Sequence, residues 1–423
     1  MQRWAHPAPA LPEASIRFRP FRAGRPVPAI AAKVASPPYD VVNRDEAAQL
    51  ARGNPFSFLH VIRAEIDLPG DVGPYEEKVY AKARQNLDLL YREGTFERDA
   101  APVVYVYELT WEGRSQVGVV GCLHVDDYAS NTIRKHELTR PDKEDDRTRH
   151  MLAVNAHAEP VLLAHPPQPF LSQLNAKAQA GTPLFDFEAD DGVRHRVWRV
   201  AETGPYVDAI RRLDRVYVAD GHHRCASAVR AAQERRKANP KHTGDEEYNW
   251  FLGVLFSAAQ LRILPYHRIV RELNGLSPDE FRNRLRTLGA LEPTTTPLPD
   301  RAGVFGVRLG DAWYRLTMDP ALIDSRDPIR SLDASVLQDQ VLGPLLGIMD
   351  VRTDKRIDFV GGIRGVAELE RRVASGDAAA AFAMHPVTLE QLMTVADAGA
   401  IMPPKSTWFE PKLRSGLFVH ALD

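Results

Sequence analysis

A short apolar strand runs into an Asp-Gly pair and then directly into an alanine-rich helix, and this junction constrains the fold more than any other stretch. The segment VYVADGHHRCASAVRAAQERRK spans residues 216–237. Its first residues favour a strand, and the alanine-rich run after Gly221 favours a helix. The N–H groups of a first helical turn have no partners within the helix, and they lie at the positive end of its dipole. The junction therefore predicts an anion site, and phosphate is the anion most often bound in this way.

Five polar or turn-forming residues occupy this junction, namely Asp220, Gly221, His222, His223 and Arg224. Because a cation in the first turn opposes the helix dipole, we expect Arg224 to have an anionic partner outside the helix, and its guanidinium can bind phosphate with two hydrogen bonds. Asp220, at the end of the strand, can hold a hydroxyl group or a magnesium ion. The alternative is that Asp220 caps the helix and the histidines are surface residues. Adjacent histidines point in different directions on a helix, so this pair alone does not predict a metal site.

Composition excludes several classes of protein. The chain has 423 residues, 44% of them hydrophobic and 26% charged, which is typical of a globular protein with a sizeable core. Its net charge of −2 argues against binding to nucleic acid or to an anionic membrane. Cys122 and Cys225 are the only cysteines, which argues against a disulfide framework and a cysteine-ligated zinc site. Without an apolar run of about 18 residues or a signal-like N-terminus, we expect a cytoplasmic protein.

The order of predicted elements favours a mixed α+β protein. Helical spacing predicts a helix over residues 74–93 and another that begins at the capping box of Thr388 and ends at Gly399. Turn residues predict hairpins at Glu112-Gly113 and at Gly310-Asp311, and FSFLHVIRAE (residues 56–65) resembles a strand. Because strands and helices do not alternate regularly, we predict an α+β fold rather than a doubly wound parallel sheet.

The sequence also predicts three regions along the chain. Residues 1–14, rich in Pro and Ala, are expected to form a flexible tail. The core that contains the Asp-Gly junction is expected to cover residues 15–289. The stretch LEPTTTPLPDRAG, which begins just after Gly289, is the best internal linker, so residues 290–423 are expected to form a C-terminal α+β region that packs on the same site.

A second charged cluster begins with Lys135-His136-Glu137 and continues to Asp146-Arg147. Such a loop can bring Glu137 to a metal–phosphate site and place His136 and Arg147 on the anion, with Asp146 as a candidate metal ligand. The alternative is a solvated loop whose acidic residues favour the first turn of the following helix.

A third cluster lies in MPPKSTWFEPK, residues 402–412. Its prolines stiffen a loop whose polar side chains can close over phosphates, namely Lys405, Ser406, Thr407 and Lys412. Trp408 or Phe409 can form one wall for a base or substrate. The alternative is a packed loop whose aromatic residues belong to the core.

These clusters, taken in order, resemble a known family. The chain resembles the bacterial domain-of-unknown-function family numbered 1015 in six stretches: SPPYDVV, FLHVIRAE, KHELTRPDKEDDR, VADGHHR, TDKRIDFVGG and MPPKSTWFEPKLRSGL. The Asp-Gly-His-His-Arg turn also resembles the signature turn of the ParB/sulfiredoxin-like superfamily and of its free-serine kinase. Sulfiredoxin has Cys at the position of His222, whereas Cys225 here follows the arginine, so sulfinic-acid chemistry is not expected.

The resemblance implies a ParB/sulfiredoxin-like nucleotide-binding core that transfers a phosphoryl group to a small hydroxyl metabolite such as free serine, with Mg²⁺ and ATP or ADP. Asp220, Glu137 and His223 are then the catalytic candidates. The residues expected to bind the nucleotide phosphates are Gly221, His222, Arg224, His136, Arg147, Lys405, Ser406, Thr407 and Lys412. The alternative is a nucleotide-binding switch without transfer chemistry, as ParB-like domains can be. No nucleic-acid or membrane partner is expected, and a homo-oligomer is one candidate for the assembly state.

Overall fold

The computed structural model describes residues 15–423 of the chain, so the tail predicted over residues 1–14 lies outside the described residues. The chain divides into two compact units. The first comprises the residues up to Leu261 together with Pro411–Asp423, and the second comprises Arg262–Glu410. The boundary predicted at residues 289 and 290 lies inside the second unit, where Gly289 begins a strand.

The strands, in chain order, are β1 Phe18–Arg19, β2 Gly24–Pro26, β3 Phe96–Arg98, β4 Val104–Trp111, β5 Arg114–His124, β6 Ile133–Arg134, β7 Ala156–His157, β8 Val161–His165, β9 Phe185–Glu188, β10 Arg194–Val200, β11 Val216–Asp220, β12 Trp250–Ser257, β13 Arg262–Leu264, β14 Tyr266–Val270, β15 Gly289–Pro293, β16 Val304–Leu309, β17 Ala312–Met318, β18 Ile357–Gly361, β19 Ala380–Ala383, β20 Trp408–Glu410 and β21 His420–Ala421.

The α-helices are α1 Ala31–Val34, α2 Arg44–Leu50, α3 Leu59–Ile62, α4 Glu77–Arg92, α5 Val125–Ala129, α6 Pro141–Val154, α7 Pro169–Gln179, α8 Gly204–Arg211, α9 His222–Ala238, α10 Pro278–Leu285, α11 Asp333–Leu337, α12 Gly365–Ala374 and α13 Leu389–Asp397. Within the described residues, every helix is too short or too polar to cross a membrane.

A mixed nine-stranded sheet forms the centre of the first unit. Its strands follow the order β6-β11-β8-β12-β5-β4-β10-β9, and β1 pairs with β5. The β6/β11 and β8/β12 pairs are parallel, and the other pairs are antiparallel. The central strand β12 is an almost continuous apolar run, as expected for a strand that is buried on both faces. The predicted mixed α+β class is confirmed.

Helices α8 and α9 cover this sheet. Buried side chains of α9, among them Cys225, Ala228 and Ala232, pack with sheet residues such as Val218 and Leu255 in one apolar cluster. The small residues on α9 let the helix backbone approach the sheet closely, which is why an alanine-rich sequence serves at this position.

The second unit is built around a six-stranded sheet with the order β15-β17-β16-β19-β14-β18. Helix α11 continues directly into a π-helical segment over Gln338–Leu342, so this apolar region contains two successive types of helix. Val336, Leu337, Val341 and Leu342 pack with strand residues such as Phe305 in the core of this unit.

Most of the predicted local elements are confirmed. The helix predicted over 74–93 is α4, the two hairpins are β4/β5 and β16/β17, and Thr388 forms the predicted capping box at the start of α13. The strand predicted in residues 56–65 is wrong, because this stretch forms α3 and a 3-10 helix over Ala64–Asp67. A short apolar run fits a strand or a buried helical turn equally well, and here the Ser57 hydroxyl accepts the N–H of Leu59 and favours the turn.

Gly121 provides a test of packing at the centre of the first sheet. A Cβ atom on this residue would lie 2.2 Å from Cζ of Phe18, which is buried on β1. We predict that Gly121→Ala lowers the free energy of unfolding by about 1–3 kcal/mol through overpacking, measured by urea denaturation with tryptophan fluorescence.

Gly204→Ala is the matched control, since a Cβ there meets nothing within 4 Å and alanine favours the helix that begins at this residue. Equal stability of the two variants would show that Phe18 does not pack against Gly121 as described.

Candidate functional site

The topology of the first sheet brings three separate segments to one edge. Strand β11 ends at Asp220, beside Leu162 at the start of the antiparallel strand β8. Glu159 and Pro160 directly precede that strand. Strand β6 runs parallel to β11, with Arg134 opposite Tyr217, so the loop of residues 135–140 leaves the sheet at the same edge. Two of the clusters in the sequence are therefore neighbours in space.

The turn between β11 and α9 depends on a glycine. Gly221 has a φ of 105°, a left-handed conformation that side chains rarely adopt. A Cβ atom on Gly221 would also lie 3.0 Å from Nε and 3.1 Å from Cζ of Arg224. The missing side chain thus allows both the abrupt change from strand to helix and the close approach of the guanidinium of Arg224.

Arg224 is buried, with 6% of the residue exposed, and its guanidinium turns back over the glycine toward the end of the strand. Its Nη1 donates to the carbonyl oxygen of Pro160, and its Nη2 lies 3.4 Å from Oδ2 of Asp220. Burial lowers the pKa of Arg224, but the negative charges of Asp220, Asp40 and Glu159 outweigh it and raise that pKa above the usual value. Carboxylates of the chain itself thus surround this cation, and the predicted role of Arg224 in phosphate binding remains a prediction.

Asp220 is held in its ionised form. Burial alone would raise its pKa, but the positive charge of Lys412, whose Nζ lies 3.5 Å from Oδ2, and that of Arg224 lower the pKa to about 2. The side chain keeps 27% of its surface exposed. A partly accessible carboxylate that stays charged at neutral pH therefore lies directly before the start of a 17-residue helix.

His136 and His222 form a buried pair. Their rings meet edge to face with centroids 4.4 Å apart, and the backbone N–H of His136 donates to Nε2 of His222 at 3.4 Å. Burial lowers the pKa of His136 to about 4 and that of His222 well below its usual value. Nδ1 of His222 lies 3.7 Å from Oε2 of Glu137, whose side chain is 49% exposed. Glu137 thus reaches solvent while it contacts a neutral histidine.

Among residues 15–423, His136, Glu137 and His222 can place one ligand atom each within 4.8 Å of one another. This set is rich in nitrogen, which suits zinc and related transition metals better than magnesium. However, Nε2 of His222 accepts a hydrogen bond, so the proton of this neutral imidazole resides on Nδ1 and faces Glu137. The hydrogen-bond pattern therefore favours an imidazole–carboxylate contact over metal ligation.

His223 contacts the same loop from the next position of the helix. Its Nε2 accepts the backbone N–H of Arg140 at 3.0 Å, and Arg140 is the N-terminal cap residue of α6. Burial is the main cause that lowers the pKa of His223. The two adjacent histidines point in different directions, as expected on a helix, yet both accept hydrogen bonds from one loop.

Arg147 and Asp146 lie deeper, on α6. Nε and Nη2 of Arg147 donate to the Asp146 carboxylate at 2.9 and 2.8 Å, and the Tyr80 hydroxyl donates to the same carboxylate at 2.9 Å. The guanidinium of Arg147 stacks 4.1 Å from the ring centroid of Tyr39, and its Nη1 lies 3.7 Å from Glu159. The predicted roles of Asp146 in metal binding and of Arg147 in phosphate binding remain predictions.

A small cavity of about 20 Å³ lies among Arg147, Glu159 and Arg224. It has room for one water molecule but not for a phosphate group. This cavity is therefore too small to hold the phosphate group that the sequence predicts at the turn.

Three of the predicted phosphate-binding residues belong to the second unit. Lys405 has a left-handed backbone conformation and its ammonium lies 5.3 Å from the ring centroid of Tyr266. The Ser406 hydroxyl donates to the carbonyl oxygen of Pro403 at 2.7 Å, and Thr407 follows in the same segment. Their role with a nucleotide remains a prediction, whereas Lys412 belongs to the first unit and contacts Asp220.

Sequence reasoning missed Glu159 and Tyr39. The buried Glu159 carboxylate accepts the N–H of Tyr39 and the hydroxyl of Ser415, each at 3.1 Å, and burial raises its pKa against the charges of Arg224 and Arg147. One signal was available, because an acidic residue two positions before the apolar strand VLLAH is rarely buried unless it is paired.

Residues 18–335 match the model of a family described as a protein of unknown function, DUF1015. The chain belongs to this family. The family expected from the ordered motifs is confirmed, and its last two motifs, in residues 353–362 and 402–417, lie beyond the matched residues. Among curated proteins, none matches this chain.

Several solved structures are similar to parts of the chain. Free serine kinase in complex with AMP is 14% identical over 70% of this chain and 90% of that chain, with a TM-score of 0.35. A conserved hypothetical protein from Pyrococcus furiosus is 14% identical over 70% and 93%, with a TM-score of 0.34. SbnI with a C-terminal truncation from Staphylococcus aureus is 13% identical over 71% and 86%, with a TM-score of 0.37. Similarity at this level does not identify an activity.

The buried position of Arg224 predicts a large effect on stability. Arg224→Ala removes the cation that faces Asp220, Asp40 and Glu159 and leaves these carboxylates without it. We predict a loss of about 3 kcal/mol or more in the free energy of unfolding, measured by urea denaturation.

Arg230→Ala, on the same helix, is the matched control. Arg230 forms partly exposed ion pairs with Glu144 and Asp145, so its loss is expected to lower stability by at most about 1 kcal/mol. A loss for Arg224→Ala no greater than that for Arg230→Ala would contradict the described charge cluster.

Proposed function

We propose that the chain transfers the terminal phosphoryl group of a nucleotide to the hydroxyl group of a small metabolite, with the reaction centred on Asp220. The observation that carries this proposal is the Asp220 carboxylate, held ionised by Lys412 and Arg224 and placed directly before the start of α9. Phosphoryl transfer requires positioned charges more than covalent catalysis, and this arrangement supplies both signs of charge within a few ångströms. The likeness of the Asp-Gly-His-His-Arg turn to that of free-serine kinase supports the same reaction.

Asp220 and Glu137 are suited to different tasks. A carboxylate with a pKa of about 2 is a weak base, so Asp220 fits the orientation of the hydroxyl group or of a cation better than proton removal. Glu137 is half exposed and lies beside the neutral His222, which makes it the better candidate for the base. In this scheme the substrate hydroxyl oxygen bonds to the terminal phosphorus, the bond to the bridging oxygen breaks, and the hydroxyl proton passes to Glu137.

The nucleotide phosphates are proposed to bind at the start of α9. The first N–H groups of this helix and its dipole favour an anion, and Lys412 adds a positive charge nearby. Magnesium bound with phosphates usually takes only one or two protein carboxylates, and the partly exposed Asp220 fits that requirement. When bound, the ion would neutralise the charge of the phosphates.

Product analysis tests the proposed activity. The purified full-length chain is incubated with Mg²⁺ and ATP or ADP against pooled hydroxy amino acids, including serine, and other hydroxy acids, and phosphorylated products are identified by mass spectrometry. We expect one phosphorylated hydroxyl compound to form in proportion to the protein added. Nucleotide binding by calorimetry without any product from the panel would favour the non-catalytic switch, and absence of both would contradict the proposal.

The two carboxylates are separated by substitution. Asp220→Asn is expected to abolish turnover, because the neutral amide no longer supplies the negative charge, while the nucleotide still binds. Glu137→Gln is expected to lower kcat about 100-fold or more if Glu137 is the general base. Both are measured by product formation and by calorimetry with the nucleotide.

The matched controls are Asp88→Asn and Glu93→Gln, at exposed positions on and directly after α4. They are expected to retain normal turnover. If the Asp220 and Glu137 variants are as active as these controls, the proposed assignment of the two carboxylates is wrong.

A further inference from the structure

The two histidines of the Asp-Gly-His-His-Arg turn share one structural feature. Each uses its Nε2 atom to accept a backbone N–H from the loop of residues 135–140. The N–H of His136 lies 3.4 Å from His222, and the N–H of Arg140 lies 3.0 Å from His223. These contacts secure the two ends of the loop to the first turn of α9, and Glu137 lies between them.

A histidine can accept in this way only while it is neutral. Protonation places a hydrogen on both ring nitrogens, so the acceptor is lost and two N–H groups oppose each other. In the neutral form the remaining proton is on Nδ1, and for His222 this atom lies 3.7 Å from Oε2 of Glu137. The side chain of His222 therefore contacts the loop twice, at the backbone N–H of His136 and at the side chain of Glu137, the proposed base.

We propose that His222 and His223 are positioning residues that hold the loop 135–140, and with it Glu137, in place by accepting these two backbone hydrogen bonds. This positioning role rests on the proposed function, because it assumes that Glu137 is the base. The side chains of adjacent residues on a helix point in different directions. Here one histidine therefore reaches His136 and the other reaches Arg140, near the two ends of the same loop. A metal site made of the pair would require different geometry.

The surroundings of His223 set the direction of its response to pH. The charged and titratable groups around it are Asp40 from the segment before α2, Arg140, Asp142 and Glu144 from the loop and α6, and His222 from its own helix. Burial lowers the pKa of His223, which the acids only partly offset. The state in which the loop is bonded to His223 thus binds fewer protons than a state in which this hydrogen bond is broken. The bonded state is therefore fully favoured above the usual histidine pKa of about 6.5, and it weakens as the pH falls below that value.

Hydrogen exchange on the full-length chain, without nucleotide, tests this arrangement at His223. Two variants are compared with the native chain by mass spectrometry of overlapping peptides that isolate residues 138–140. His223→Leu removes the acceptor, and we expect exchange at the Arg140 amide to accelerate about three- to tenfold at pH 7. His223→Gln keeps a carbonyl acceptor of similar reach and is expected to retain part of the protection.

The pH dependence separates positioning from a general structural effect. In the native chain the protection factor at Arg140 is expected to fall between pH 7.5 and 5.5, whereas His223→Gln, which cannot titrate, is expected to lack this fall. His242→Leu is the control, because His242 contacts Tyr248 and lies outside the turn and the loop. It is expected to leave exchange in residues 135–140 unchanged.

Two results would overturn the inference. The first is equal protection at Arg140 in His223→Leu and in the native chain at every pH. The second concerns the metal content, measured by inductively coupled plasma mass spectrometry. If the purified native chain holds about one equivalent of a transition metal and His222→Asn does not, His222 is a metal ligand. Exchange is measured without substrate, so this test does not depend on activity. If His223→Leu accelerates exchange at Arg140 but the native chain forms no phosphorylated product, the positioning role is supported and the proposed function is contradicted.

Discussion

The guanidinium of Arg224, folded back over Gly221, is the interaction on which the rest of the site depends. A buried cation is stable only with compensating negative charge, and Arg224 finds it in Asp220, Asp40 and Glu159, while its Nη1 donates to the Pro160 carbonyl. These partners come from three separate segments of the chain. One side chain therefore fixes the end of β11, the start of β8 and the first turn of α9 relative to one another.

The same charge cluster explains why Asp220 can remain ionised near the protein interior. Its carboxylate shares the positive charge of Arg224 with Glu159 and also lies 3.5 Å from Nζ of Lys412, whereas Glu159 is buried and accepts hydrogen bonds from Tyr39 and Ser415. Two carboxylates in one cluster thus differ in character. Glu159 is a buried hydrogen-bond acceptor, whereas the Asp220 carboxylate is partly accessible, which is the property that the proposed chemistry requires.

The features that could be predicted from the sequence are those that depend on residues close together in the chain. The change from strand to helix at Gly221, the hairpins, the capping box at Thr388 and the α+β class all follow from local patterns. The meeting of the loop 135–140 with the turn could not be predicted from spacing, because it depends on the parallel pairing of β6 with β11 across more than 80 residues. The same holds for Glu159, which depends on the antiparallel pairing of β11 with β8. The error in residues 56–65 arose where a short apolar run had no period to distinguish strand from helix.

The central claim is that a nucleotide binds at the first turn of α9. A hydrogen-exchange footprint on the full-length chain, recorded with and without saturating ADP and Mg²⁺, tests it most directly. We expect slower exchange in peptides that cover Gly221–Cys225 and in the loop 135–140, with little change in β4 and β10, toward the opposite edge of the sheet. Saturable nucleotide binding that leaves exchange at Gly221–Cys225 unchanged and protects another part of the chain would contradict it.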